Sequence, residues 1–467
     1  MPNKLSACTS ILIGKKASID GSIMIGRNED AKAAWPKHMV VHPHGAVPRK
    51  FVSKETKLEI ELPDDSARYS ATPEWTDKYG LFEEDGINEY NVAMSATESA
   101  YSNSLVLGAD PLVKNGLNEE AMVTVVLPFV KTAREGVLRL GNLIAKYGTG
   151  ETNGVLFADD NEAWYFESGA GHYWVAQRIP DDCYAVVANQ LAIQEIDFND
   201  PNNFMFHPGI QEFVEKNHLN PDPTTFNFRK IFGTADQSDA IYSEPRVWIG
   251  HQMFSFHQAK GETPESTELP FLMKPDRLLS VIDAQNYLSN HYEGTGFDPL
   301  TNSPSAHKYR PISLAKTQES HILQTGRKGP DIHWLAMGVA NESTYVPFFN
   351  GITKLPAAYG RGKLPAQLNS AYWIFKHASV LVDSHLHDFL PLLRDVQKER
   401  NAAAQKLIRE TDTKAAALQG DALTDYLNDQ SDKFANDTLT AYRNLAMELI
   451  TKMTDYCELN FKTDENL

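Results

Sequence analysis

The chain has 467 residues, of which 42% are hydrophobic. This is enough to bury the core of one large domain or two ordinary ones, and it excludes an intrinsically disordered protein. With 61 acidic and 44 basic residues the formal net charge at pH 7 is −17, and because this sign repels phosphate backbones and anionic lipids, neither nucleic acids nor membranes are expected partners.

Hydropathy and cysteine usage predict a cytoplasmic protein. No segment approaches the roughly 18 to 20 consecutive apolar residues that span a bilayer, and the opening MPNKLSACTSILIG lacks the apolar core of a signal peptide. The three cysteines, Cys8, Cys183 and Cys457, show no close spacing. Neither a disulfide framework nor a thiolate metal site is therefore predicted, and a reduced cysteine is available as a nucleophile.

Residues 8–30 have the alternation of a β-hairpin. Isoleucines alternate with other residues on both sides of a connection that contains Asp20 and Gly21. In antiparallel strands centred on that connection, position 8 lies near position 27. The pattern therefore predicts that Cys8 and Arg27 are neighbours.

A series of short strands and one long helical segment follow. Residues 118–147 have apolar side chains at helical spacing that ends at Gly148, which predicts one or two helices interrupted near Pro128. Runs bounded by turn residues predict strands at 92–96, 154–158, 163–167, 173–177 and 184–188.

The second half of the chain changes character twice. Residues 201–330 are rich in Pro, Asn and Asp and have little periodicity, which predicts long loops and short helices over a core. After Pro365 the sequence becomes rich in Ala, Leu, Lys and Glu, and the last hundred residues are predicted to be helical. Because strands and helices come in separate blocks, the expected fold class is α+β with antiparallel sheets.

Cys8 lies where an N-terminal nucleophile can be made. It follows the small residue Ala7 and precedes Thr9 and an apolar strand. Removing residues 1–7 would free its α-amine, whose pKa of about 7.7 to 8.0 lets it accept the thiol proton near neutral pH. Nucleophile and base then belong to one residue. The alternative is an inert cysteine buried in a strand.

The segment GRNED, residues 26–30, closes the same hairpin. Arg27 beside a thiol would lower the thiol pKa and stabilise the thiolate. Asp30 could accept hydrogen bonds from the α-ammonium or from Arg27. The alternative is an ordinary pair of Arg27 with Asp30 in solvent at a strand end.

The opening ACTSILIGKKASIDGSIMIGRNED resembles that of peptidase family C69, the N-terminal nucleophile hydrolases that include the dipeptidase A group of lactic acid bacteria. The resemblance covers about residues 8–400. It implies a four-layer αββα sandwich, a cysteine nucleophile, no metal or other cofactor, and dipeptides as substrates. Further matching segments are DGINEYNVAMSATES (85–99), WYFESGAGHYWVAQRIPDD (164–182), YAVVAN (184–189), PRVWIG (245–250) and WLAMGVANESTYVPFF (334–349).

The resemblance also implies a domain organisation. We expect a short prosegment at residues 1–7, a hydrolase domain at 8–365 that includes loop-rich decorations at 201–330, and a helical C-terminal extension at 366–467. The extension is a candidate for subunit contacts, so a homo-oligomer is one expectation.

More distantly, the pattern is similar to bile-salt hydrolases and penicillin V acylases, in which a Cys, an Arg-x-x-Asp pair, an Asn at a strand end and a later Arg form the site. Carried over, these positions are Cys8, Arg27, Asp30, Asn189 and Arg246. The resemblance implies that Asn189 donates its amide N–H to the developing oxyanion, and that Arg246 orients the catalytic groups or binds a carboxylate. Without the resemblance, Asn189 reads as a turn residue and Arg246 as part of a structural ion pair.

Glu98 departs from the acylase pattern, since it stands where those enzymes have an Asn. A dipeptide carries an α-ammonium close to the scissile bond, which bile salts and penicillins lack, and a carboxylate would bind that group. We therefore expect Glu98 to be a substrate-binding residue. The alternative is a Glu that caps a helix or faces water.

The sequence therefore predicts a cysteine-type dipeptidase that uses the Cys8 thiolate and its own α-amine. One alternative is an N-acyl amidohydrolase of the penicillin V acylase or bile-salt hydrolase type, and the other is a non-catalytic relative that keeps residues 1–7. A metal site is not expected, because there is no HExxH motif and the pair His385 and His387 lies two apart on a predicted helix.

Overall fold

The structure, a computed structural model, describes residues 8–98 and 100–456, without the side chain of Glu98. Its strands are, in chain order, β1 (Thr9–Ile13), β2 (Ile23–Asp30), β3 (Val40–His42), β4 (Lys50–Val52), β5 (Glu59–Glu61), β6 (Tyr69–Ala71), β7 (Asp85–Ile87), β8 (Ala93–Glu98), β9 (Asn153–Ala158), β10 (Ala163–Gly169), β11 (Tyr173–Ile179), β12 (Tyr184–Val187), β13 (Phe204–Phe206), β14 (Thr317–Thr325), β15 (Ile332–Met337) and β16 (Val346–Phe349). Its α-helices are α1 (Ser104–Ala109), α2 (Glu119–Val126), α3 (Ala133–Tyr147), α4 (Ile210–Lys216), α5 (Phe228–Phe232), α6 (Gln237–Tyr242), α7 (Glu244–Phe254), α8 (Val281–Leu288), α9 (Ala371–Ser384), α10 (Leu386–Ala415) and α11 (Gly420–Met453).

Two six-stranded antiparallel sheets form the centre of the fold. Sheet A has the strand order β12-β1-β2-β14-β15-β16, and sheet B has the order β13-β11-β10-β9-β8-β7. The hairpin predicted for residues 8–30 is confirmed as β1 and β2, which pair with Ser10 opposite Arg27. The five strands predicted between residues 92 and 188 are also confirmed, as β8 to β12.

The sheets and helices stack in four layers. Strand β2 of sheet A contacts β8 and β9 of sheet B, and β14 contacts β7 and β8. Helices α7, α8, α9 and α11 cover the outer face of sheet A, whereas α2 and α3 cover the outer face of sheet B. The predicted α+β class and αββα sandwich are therefore confirmed.

Residues 118–147 form two helices, as predicted. Helix α2 ends in a short 3₁₀ turn at residues 127–129 that contains Pro128, whose ring and missing N–H are incompatible with a continuing α-helix. Helix α3 begins at the N-cap Thr132, whose side chain accepts the N–H of Glu135, and it ends at Gly148, which has a φ of +70°.

The region 201–330 has the predicted short helices, α4 to α8, but it also contains two strands that the sequence analysis missed, the short β13 and the longer β14. Residues 317–325 form β14, which lies between β2 and β15 in the middle of sheet A. Its sequence TQESHILQT is mostly polar, so no alternation of apolar residues indicated a buried strand. The reason for the polarity is the site that it helps to build.

The predicted C-terminal helices are α9, α10 and α11. Two of them belong to the outer layer of sheet A, because α9 packs on β15 and α11 on β16. Among the described residues, no helix combines the length and apolar character that crossing a bilayer requires. The predicted prosegment, residues 1–7, lies outside the described residues, and the domain boundaries stay a prediction.

Candidate active site

Strand alternation decides which side chains reach the space between the sheets. In β1 and β2, Leu12, Ile23 and Ile25 belong to the buried apolar layer between the two sheets, whereas Ile11 and Met24 belong to the layer under the outer helices. Because successive side chains point to opposite faces, the positions that continue the inner series are Cys8 and Arg27. The inner layer thus changes from apolar to polar at one end.

The same change occurs in the neighbouring strands. In β14, Leu323 belongs to the inner apolar layer, and the inner series continues with His321 and Glu319. In β8, Ala93 is likewise an inner residue, and it is followed on that face by Ser95 and Thr97. A buried polar cluster therefore lies between the sheets around Cys8.

Arg27 contacts the sulfur of Cys8. The distance from Arg27 Nη1 to Cys8 Sγ is 3.3 Å, and both side chains are buried. The other sides of the guanidinium are also engaged, since Nε donates to Ser95 Oγ at 2.9 Å and Nη2 donates to Glu84 Oε2 at 2.6 Å. These contacts hold the cation against the thiol.

Burial and Arg27 act on the thiol in opposite directions. Burial raises the pKa of the Cys8 thiol, because the thiolate would lose its hydration, and the positive charge of Arg27 opposes that rise. Among the groups around Cys8, the Arg27 guanidinium contributes most to stabilising a thiolate.

A second cation takes part in the charge balance around Arg27. Lys37 is buried, and its Nζ lies 2.9 Å from Glu29 Oε2 and 3.8 Å from Glu84 Oε1. Burial lowers the pKa of Lys37, but the two carboxylates more than offset this and raise it above its usual value. Lys37 thus stays charged and shares Glu84 with Arg27, which limits the cost of burying that carboxylate.

Arg246 joins Cys8 to Asn189. From the first turn of α7, Arg246 Nη1 donates to the backbone oxygen of Cys8 at 2.7 Å and to Thr9 Oγ1 at 2.9 Å, and Nη2 donates to Asn189 Oδ1 at 2.7 Å. Burial and the nearby Arg310 lower the pKa of Arg246 to about 10, so it remains a cation at neutral pH. The Asn189 amide is oriented with its oxygen toward Arg246 and its nitrogen away from it.

Asp30 is placed close to the same residues, but its partners differ from the expectation. Its carboxylate accepts hydrogen bonds from Arg310 and Thr317, and it is fully buried. The predicted contact between Asp30 and Arg27 is wrong, both as a catalytic contact and as a surface ion pair. Arg27 points into the space between the sheets and binds Glu84, whereas Asp30 binds Arg310. Burial raises the pKa of Asp30 and Arg310 opposes this.

A group of side chains that could hold a metal ion lies beside Arg27. Asp85, Glu319 and His321 place their donor atoms within 4.8 Å of one another. His321 Nδ1 lies 2.8 Å from Asp85 Oδ2 and 3.0 Å from Glu319 Oε1. Burial lowers the pKa of His321, but the two carboxylates outweigh it and raise the value to about 9. At neutral pH the positive charge of the His321 imidazolium therefore compensates the two carboxylates.

The structure thus brings Cys8, Arg27, Asp30, Asn189 and Arg246 to one end of the inner layer. The side chain of Glu98 lies outside the described part of the chain, so its expected role has no structural counterpart here. Sequence reasoning missed several contributors to the site, among them Glu84, Ser95, Arg310 and His321. Glu84 gave a signal, since it belongs to three consecutive acidic residues before an apolar strand, but Arg310 lies in a loop without a recognisable pattern.

The chain is similar to known proteins over almost its whole length. The model of peptidase family C69 matches residues 7–399. The chain is 46% identical to a protein named "Probable dipeptidase" from Latilactobacillus sakei, with 99% of each chain covered. It is 38% identical to "Probable dipeptidase B" from Lactococcus lactis subsp. lactis, with 97% of each covered.

Among solved structures, penicillin V acylase from Agrobacterium tumefaciens is similar to 74% of this chain and 87% of its own, with 14% sequence identity and a TM-score of 0.35. The family match spans most of the chain, including the hairpin with Cys8 and Arg27 and the segments with Asn189 and Arg246. Together with the relative that is 46% identical over almost the full length, it shows that this chain belongs to peptidase family C69.

Proposed function

We propose that the chain is a cysteine-type dipeptidase in which Cys8, exposed as the N-terminal residue after loss of residues 1–7, is the nucleophile. Membership of a peptidase family and the dipeptidase names of the relatives support the substrate class. The contact of 3.3 Å between Arg27 Nη1 and Cys8 Sγ is the observation that carries the proposal. A buried cation against a sulfur has a direct use in stabilising a thiolate.

In this proposal the α-amine of Cys8 takes the thiol proton, and Sγ attacks the carbonyl carbon of the dipeptide. A C–S bond forms while the carbonyl π electrons move to oxygen. Collapse of the tetrahedral intermediate breaks the C–N bond, and the α-ammonium returns its proton to the leaving amine. Water, deprotonated by the same amine, then cleaves the thioester and regenerates the thiol.

Three further residues would serve this sequence of steps. Arg246 binds the backbone oxygen of Cys8, so it would hold the N-terminal residue in place while the amine changes its charge. Asn189 would donate from its amide nitrogen to the oxyanion. Asp30, held by Arg310, would stabilise the α-ammonium through its negative charge.

The Asn189→Asp variant tests the oxyanion role. Asp keeps an oxygen that accepts from Arg246 but has no amide donor, so the variant should fold and should lose about 10²- to 10³-fold in kcat, with a small change in KM. Steady-state kinetics on a free dipeptide and the thermal midpoint would be measured together. Full activity of Asn189→Asp would exclude the oxyanion role and leave Asn189 only with the structural role of accepting a hydrogen bond from Arg246.

Glu98 would bind the α-ammonium of the substrate. Free dipeptides carry this group, whereas N-acetylated dipeptides and other N-acyl amides do not. A carboxylate that binds it contributes through charge and hydrogen bonding. An unchanged KM for dipeptides in the Glu98→Gln variant would remove Glu98 from this role.

The test of the function combines intact mass with substrate choice. We expect purified active protein to lack the first seven residues and to hydrolyse free dipeptides but not their N-acetylated forms, because only free dipeptides offer an α-ammonium. Preference for the N-acetylated forms would favour the N-acyl amidohydrolase. An unprocessed and inactive chain would favour the non-catalytic relative.

Cytoplasmic location and a homo-oligomer stay predictions of the sequence.

A further inference from the structure

Arg27 is one corner of a group of four polar residues that the two sheets bring face to face. In sheet A, His321 on β14 is the direct cross-strand partner of Arg27 on β2. In sheet B, Ser95 on β8 is the direct partner of Asp85 on β7. Two cross-strand pairs, one from each sheet, thus meet in the inner layer, and all four side chains are fully buried.

The Ser95 hydroxyl is the point at which these residues connect. Arg27 Nε donates to Ser95 Oγ at 2.9 Å, and His321 Nε2 lies 3.0 Å from the same oxygen. On its other side, His321 is held through Nδ1 by Asp85 and Glu319. A continuous chain of contacts therefore runs from two carboxylates through His321, Ser95 and Arg27 to the sulfur of Cys8.

The guanidinium is planar and rigid, so the orientation of Nη1 follows from what binds the other nitrogens. Glu84 binds Nη2 twice, through Oε2 at 2.6 Å and through its backbone oxygen at 3.2 Å, and both contacts hold the guanidinium at this one nitrogen. Ser95 supplies the second fixed point at Nε. The Ser95 oxygen is in turn fixed by His321 Nε2, and the other ring nitrogen of His321, Nδ1, is held by the carboxylates of Asp85 and Glu319.

We propose that Ser95 and His321 are positioning residues that hold the Arg27 guanidinium with Nη1 on the Cys8 sulfur. The inference rests on the proposed role of Cys8 as the nucleophile. It adds two side chains to which the sequence analysis assigned no role, and it gives a reason for the buried and polar character of β14. The charged groups that face Arg27 and Cys8 are Glu84, Asp85, Glu119, Glu319, His321, Lys37, Glu29 and Asp30.

The test uses the reactivity of the thiol, which does not depend on the identity of the substrate. The rate of iodoacetamide alkylation of Cys8 in the processed protein would be followed from pH 6 to 10 by mass spectrometry of the Cys8 peptide. Cys183 does not interfere, because the Cys8 peptide is measured separately, and burial together with Asp182 raises the pKa of Cys183 to about 11.

Ser95→Ala is the decisive variant, because it removes only the connecting hydroxyl and leaves every charge in place. We expect the thiol pKa from the alkylation profile to rise by about 1, and kcat to fall by about 10- to 100-fold with KM nearly unchanged. Ser95→Thr keeps the hydroxyl and should restore much of the loss. His321→Gln should resemble Ser95→Ala if it folds.

His333 provides the matched control. Its Nε2 lies 3.2 Å from the same Asp85, but its Nδ1 contacts Ser70 at 3.1 Å instead of Ser95. His333→Gln therefore disturbs Asp85 but removes no contact to Ser95, Arg27 or Cys8, and it should leave the alkylation profile of Cys8 unchanged. An unchanged profile in Ser95→Ala, or an equal change in His333→Gln, would overturn the inference. Failure of wild-type protein to cleave dipeptides would contradict the proposed function instead, since the alkylation profile does not measure hydrolysis.

Discussion

The Cys8→Ala variant is expected to lose at least about 10⁴-fold in kcat/KM on free dipeptides, since removal of a covalent nucleophile leaves only binding and oxyanion stabilisation. The change removes one buried sulfur atom and leaves Arg27 with Glu84 and Ser95 as partners. The thermal midpoint should therefore change little. Cys8→Ala is thus predicted to lose its activity while keeping its stability.

Cys8→Ser is the matched comparison, because it keeps the α-amine and a side chain of similar size but replaces the thiol by a much weaker acid. Each variant should be produced with residue 8 at the N-terminus, so that missing removal of residues 1–7 does not mimic a missing nucleophile. The measurement is kcat/KM together with intact mass. Activity of Cys8→Ala within about tenfold of wild type would contradict the nucleophile assignment.

The second large effect concerns Arg27. Arg27→Met should lower the free energy of unfolding by about 3 to 5 kcal/mol, because it removes one partner of a buried ion pair and leaves Glu84 with Lys37 at 3.8 Å. The same change removes the cation beside Cys8, so the pKa of the Cys8 thiol should rise above its wild-type value, and kcat/KM should fall by at least about 100-fold. Urea unfolding and the alkylation profile of Cys8 report the two effects separately.

The double variant Arg27→Met with Glu84→Gln separates the structural effect from the chemical one. Removing both charges takes away the uncompensated carboxylate, so much of the lost stability should return. The thiol still lacks its cation, and activity should stay low. Recovery of both stability and activity in the double variant would show that Arg27 serves the fold rather than the thiol.

Local pattern was sufficient for several features. The alternation around Asp20 and Gly21 predicted the hairpin of β1 and β2, because period-2 side-chain alternation and a turn signal are both contained in a short stretch of chain. The break at Pro128 and the end at Gly148 were predicted for the same reason, since each follows from backbone constraints of a single residue type. The proximity of Cys8 to Arg27 then followed from antiparallel geometry.

Strand β14 shows where local pattern failed. A strand is recognised in a sequence when its buried face is apolar, but β14 places His321 and Glu319 on the inner face, where Asp85 of sheet B compensates His321 and Arg27 of β2 acts on Glu319. That compensation depends on residues more than 200 positions away in the chain, such as Asp85. The sequence of such a strand resembles that of a loop, because the residues that compensate its buried charges are distant in the chain.

Short spacings and a resemblance that spans most of the chain were enough to predict the hairpin, the α+β class, the family and a cysteine next to an arginine. The partners of the charged residues emerged from the folded chain, which pairs Glu84 with Arg27, Arg310 with Asp30, and the backbone oxygen of Cys8 with Arg246. A buried charge requires a compensating group nearby in space, and the folding of the two sheets selects that group without regard to its distance along the chain.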